Sequence, residues 1–85
     1  MDNKTWKKYV DCFRKEFDSC DFKDELINVC GGYDDVACAV FFHTRSNAIK
    51  WMNSKLPALE NKIPRQEIDN GNIISVRKVI LKIPC

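Results

Sequence analysis

The sequence predicts an all-α fold, a small single-domain helical bundle of about five short helices. Three observations carry that expectation. Apolar residues recur at helical spacing from the outset, beginning with Trp6, Tyr9, Val10, Phe13 and Phe17. Glycine and proline then cut the chain into short pieces, at Gly31-Gly32, Pro57, Pro64 and Asn70-Gly71. Finally, 85 residues are too few to divide into two self-sufficient cores.

The first helix is expected over residues 3–17, with Asp2 or Asn3 as its cap and the aromatic stripe on one side. Lys7, Lys8, Arg14 and Lys15 fall off the stripe, toward water. The stripe serves either as core packing or as a homodimer seam, because a lone helix with four aromatics needs a cover. A second helix is expected over 22–30, capped by Asp21 and stopped by Gly31-Gly32. Asp24 and Glu25 suit the dipole of its first turn, and Leu26, Ile27, Val29 and Cys30 form its apolar face.

The third helix is read over 34–42, with Val36, Ala37, Val40 and Phe41 as core residues. After a break at His43-Thr44-Arg45, Ser46 caps a fourth helix that buries Ala48, Ile49, Trp51 and Met52. Pro57 ends it, since the residue before a proline is pushed out of helical geometry. The stretch 57–60 then forms one turn that carries Leu59 inward, and Pro64 starts a helix over 64–69. The final segment, 72–83, is balanced between two forms. Ile73, Val76, Ile80 and Ile83 keep helical spacing, whereas its many Ile and Val residues and the preceding Asn-Gly favour a hairpin strand.

Charge does not choose a partner. The net formal charge is +2; residues 1–32 hold six Lys/Arg against seven Asp/Glu, and residues 33–85 hold eight against five. The start of the chain shows no long apolar run, and nothing approaches the roughly 20 apolar residues of a membrane span, so a cytoplasmic location is expected. The five cysteines (Cys12, Cys20, Cys30, Cys38 and Cys85) are an odd number without a C-x-x-C pair. They are read as reduced thiols, with Cys12, Cys30 and Cys38 as small hydrophobes on helix faces, and no metal site is expected.

No catalytic set stands out. His43 beside a cysteine would imitate a thiol hydrolase but lacks a nameable third residue, so His43 is read as a capping or surface group. Asp34-Asp35 and the pair Glu67 and Asp69 are read as helix-dipole partners and solvated charges. An enzyme is therefore not expected, nor is a cofactor.

The residues from 48 to 83 carry one further pattern. Ala48, Trp51 and Met52 are followed by Pro57-Ala58-Leu59, then by Pro64, Ile68, Gly71, Val76 and Leu81. This resembles the toxin-binding domain of the Xre/MbcA/ParS antitoxins, in which Ala-x-x-Trp-Leu precedes Pro-x-Leu, a Pro-initiated turn of helix, a Gly and a closing helix. The resemblance spans residues 41–83 and favours helix for the final segment. Two stretches differ: Phe42-His43 stands where the family often has Phe-Gly, and the loop Glu60-Asn61-Lys62-Ile63 stands where it has a Gly-rich Gly-x-Thr/Ser-Pro connector.

The resemblance implies a type II antitoxin, a non-catalytic inhibitor of a RES-type toxin that acts on NAD. The family's closing helix and tail lie over the toxin's pocket, which assigns partner contacts to Arg77, Lys78, Leu81, Lys82, Ile83, Pro84 and Cys85. Trp51, Leu59, Pro64 and Gly71 become framework residues of a toxin-binding region over 41–85. Residues 1–32 are then packing or dimerisation helices, shorter than the helix-turn-helix domain usual in relatives. The helix after Gly31-Gly32 starts with two acids and continues apolar, so it offers phosphate and bases nothing. A phage-encoded helical inhibitor of a host defence complex, of the anti-CRISPR kind, is the alternative, and a small DNA-binding regulator ranks after both.

Overall fold

The computed structural model describes residues 3–82, and side chains from Lys4 onward. Among these, the chain forms α1 (Asn3–Asp11), α2 (Arg14–Phe17), α3 (Lys23–Val29), α4 (Asp34–Thr44), α5 (Ala48–Met52), α6 (Pro64–Asp69) and α7 (Ile73–Lys82). Short 3-10 turns at Arg45–Asn47 and Pro57–Leu59 link them, and the lone β-type pairing is a bridge between Leu56 and Lys62. The fold is all-α, as expected. Its Cα radius of gyration, 11.7 Å, equals the roughly 12 Å of a folded domain this long.

The axis of the fold is α4. Val36, Ala37, Cys38, Ala39 and Val40 are all fully buried, so this helix is covered on every side. Helices α1, α2, α3, α5 and α7 pack around it. Alanine and cysteine at its centre keep its diameter small and let five neighbours approach.

The expected first helix is two helices. A turn at Cys12-Phe13, closed by Phe13 N–H to Val10 O at 2.9 Å, separates α1 from α2. Contacts with α4 explain it: Phe13 stacks on Phe42 with ring centroids 3.7 Å apart, and Arg14 reaches Asp34 at 2.9 Å. The aromatic stripe therefore closes the monomer. Trp6 and Phe17 are buried, and Tyr9 and Phe13 are half-buried against the core.

Glycine ends two helices by one mechanism. After α3, Gly31 N–H bonds Asn28 O and Gly32 N–H bonds Ile27 O, with Gly31 at φ 69°. After α6, Gly71 N–H bonds Ile68 O and Asn72 N–H bonds Glu67 O, with Gly71 at φ 85°. The Asn-Gly pair is thus a helix stop rather than a hairpin turn. Gly31 is further constrained, because a Cβ there would lie 2.8 Å from Cγ2 of Ile68.

Two expected caps are not used. Phe22, rather than Asp21, precedes α3, Asn47 rather than Ser46 precedes α5, and neither makes a side-chain capping bond. The break expected at His43-Thr44-Arg45 falls later, since α4 continues to Thr44 and the reversal occurs at Arg45, φ 52°. Its guanidinium lies 5.5 Å from the Phe41 ring and 5.4 Å from that of Phe42, and it pairs with Glu16 at 2.9 Å. The final segment is helix, burying Val76, Val79 and Ile80 on one side. The Asp2 cap expected for the first helix and the Ile83 end expected for the last lie outside the described residues.

Candidate partner-binding face

Helix α7 presents two unlike sides. Its inner side packs on α4, α6 and the Pro57–Leu59 turn. Its outer side leaves Ile74 and Leu81 exposed, at 55% and 37%, with Lys78 and Lys82 exposed beside them. Among the described residues, neither lysine has a carboxylate at ion-pair distance. Of the residues assigned from sequence to partner contacts, Lys78, Leu81 and Lys82 are exposed. Ile83, Pro84 and Cys85 lie outside the described residues.

Arg77 points the other way. It donates from Nη2 to Oδ2 of Asp35 at 2.8 Å, and Trp6 Nε1 donates to that same oxygen at 2.6 Å. Its guanidinium carbon lies 5.6 Å from the Trp6 ring and 5.9 Å from the Tyr33 ring. Arg77 and Asp35 side chains retain 18% and 20% exposure. Arg77 Nε is buried without a hydrogen-bond acceptor, which leaves the two rings as the groups that flank the cation. Arg77 therefore tethers α7 to α1 and α4, with only part of its side chain exposed. Asp35 is correspondingly not a solvated charge.

Between α7 and the 57–62 turn lies a groove of about 250 Å³. Leu59 and Val79 form its apolar floor, and Lys62, Lys78 and Lys82 stand around it with Ser75, Glu60 and Glu67. Glu67, read from sequence as solvated, is 8% exposed and accepts from Asn72 Nδ2 at 2.8 Å. The turn itself holds two residues in left-handed geometry, Glu60 at φ 57° and Asn61 at φ 65°. Asn61 N–H to Leu56 O at 2.8 Å and Leu56 N–H to Lys62 O at 3.1 Å close it.

The framework residues divide. Leu59 and Pro64 are buried, and Gly71 supplies the left-handed stop that positions α7. Trp51 is only half-buried, packing on the core's edge while lining a surface hollow with Asn47, Lys50 and Ser54. It is a border residue rather than a core post. Ala48 and Met52, one turn apart on the same helix, take the fully buried places.

Burial acts on two of the thiols and on the imidazole. Burial pushes the Cys30 thiol up to about 12, with the Asp35 charge adding to it, and pushes Cys38 up to about 11. Cys12, expected on a buried face, is exposed and donates to Lys8 O. His43 is neither cap nor free surface group. Its Nε2 bonds the Tyr9 hydroxyl, its ring lies among Tyr9, Phe13 and Phe42, and burial lowers its pKa. Among the described residues, no three His, Cys, Asp or Glu side chains converge as metal ligands, and no helix is long and apolar enough to cross a membrane. No protein-family model, curated protein or solved structure matches the chain.

Proposed function

We propose that this chain is a non-catalytic inhibitor of the type II antitoxin kind, working in the cytoplasm and binding a RES-type, NAD-acting toxin through α7 and the residues that follow it. The observation that carries the reading is the outer side of α7. Two exposed apolar residues, Ile74 and Leu81, share it with Lys78 and Lys82, which have no carboxylate at ion-pair distance among the described residues. A mixed apolar and cationic strip on the last helix suits a partner surface bearing carboxylates.

Two further features support it. Glu60 and Asn61, in the loop that stands where the family has its Gly-rich connector, have the left-handed φ that glycine adopts most readily. Helix α4, which follows the Gly31-Gly32 turn, is enclosed by the core and cannot lie in a DNA groove as a recognition helix. Burial raises the Cys30 and Cys38 thiols, which disfavours either of them as a thiolate nucleophile.

The test is capture of the partner by the tagged full chain, followed by neutralisation of that partner on co-expression. Deleting residues 82–85 should abolish neutralisation while leaving the helical circular dichroism and melting midpoint nearly unchanged. Full neutralisation by the shortened chain would remove the tail from the mechanism. Capture of a nuclease or defence complex would replace the toxin with that partner.

A further inference from the structure

The groove beside α7 has a charge pattern that constrains what fills it. Lys62 stands on the turn, while Lys78 and Lys82 stand on the helix. The two helical lysines are one turn apart, where like charges repel each other. Of the nearby carboxylates, Glu67 is engaged by Asn72, and Glu60 approaches Lys62 only to 4.0 Å. The unbound chain thus keeps positive charge around an apolar floor of Leu59 and Val79.

We infer, building on the partner-binding reading, that the groove takes an acidic segment of a protein partner. One apolar side chain of that segment lies on Leu59 and Val79, and flanking carboxylates meet Lys62, Lys78 and Lys82. At about 250 Å³ the groove accommodates a few side chains and not a fold. A nucleic-acid backbone fits less well. Its evenly spaced charges would meet Glu60 and Glu67 and would leave the apolar floor uncovered. An acidic peptide can place its carboxylates where the lysines are and its apolar residue between them.

The probe is a synthetic peptide of alternating leucine and glutamate, titrated into the isotope-labelled full chain and followed by NMR. Saturable shifts confined to residues 58–62 and 75–82 are expected. Lys62→Glu combined with Lys78→Glu should weaken binding about tenfold, and added salt should weaken it further. Both replaced lysines are exposed, so the variant should melt like the parent. Lys7→Glu with Lys8→Glu makes the same change of net charge on α1 and should leave peptide affinity unaltered.

Shifts spread over α1, or no saturable shift, would overturn the inference. So would a DNA duplex that moved the same residues at equal affinity, which would make the groove a phosphate-backbone site. The peptide titration needs no natural partner. Failure of the peptide, with a partner still captured by the full chain and lost on deleting 82–85, would remove the groove but keep the inhibitor reading. Peptide binding at the groove by a chain that neutralises nothing would keep the groove and remove the inhibitor reading.

Discussion

Arg77 and Asp35 meet at 2.8 Å across 42 residues of sequence, and the pair ties the last helix to the central one. Trp6 completes the junction from the first helix. Asp35→Ala would leave Arg77 largely buried without its counter-charge and Trp6 Nε1 without its acceptor. A loss of roughly 3–5 kcal/mol is expected, at roughly 4–8 °C of melting temperature per kcal/mol for a chain this size. Adding Arg77→Met should recover part of that loss, because the uncompensated charge goes with it. An Asp35→Ala protein that melts like the parent would show that the pair does not form in solution.

The two tryptophans should respond unequally. Trp6 is 4% exposed and sits in the core, so Trp6→Ala should cost roughly 3–5 kcal/mol. Trp51 is half-buried at the edge of the core, and Trp51→Ala should cost roughly half as much. Urea unfolding of the two variants side by side measures this. Equal losses would place Trp51 as deep as Trp6.

Left-handed geometry at Asn61 predicts a stabilising substitution. Its φ of 65° is costly for a residue with a Cβ, whereas glycine adopts it freely. Asn61→Gly should therefore raise stability by about 0.5 kcal/mol, after the greater chain entropy of glycine in the unfolded state is subtracted. Gly31→Ala, at φ 69° and with Ile68 against the new Cβ, should do the opposite. Differential scanning calorimetry on both variants gives the two signs.

Stability should fall on mild acidification, through His43. Burial lowers its pKa below the ordinary 6.5, so near that pH the unfolded chain binds more protons than the folded one. Stability then rises with pH across this window and is lost as pH falls from about 6.5 through the folded-state value. Chemical denaturation at a series of pH values, on the parent and on His43→Gln, tests it. An identical slope in both proteins would assign the acid sensitivity to other groups.

Much of the fold was legible in the sequence because it depends on local chemistry. Gly31-Gly32 and Asn70-Gly71 stop helices wherever they occur in a helical context, since glycine takes positive φ without steric cost. Pro64 begins α6 because the first helical residue needs no N–H partner. The spacing of Val76 and Ile80 marks the inner side of α7, and it also marks Lys78 and Lys82 as outward residues.

Other features were not legible, for a reason that is equally physical. A stripe from Trp6 to Phe17 reads as one helix, because periodicity sees neither the stacking of Phe13 on Phe42 nor the pull of Asp34 on Arg14. Arg77 looks like one more outward cation on a basic helix until Asp35, far off in sequence, is placed against it. Glu67 reads as solvated until the stop after α6 folds Asn72 back onto its carboxylate.

What the sequence determined by itself was the helical class, most helix stops and the apolar side of each helix, all set by contacts within a few residues. The tertiary structure alone decided which charges turn inward and where the first helix breaks. Those outcomes depend on partners distant in the chain, because a charge is buried only when its counter-charge is already in place.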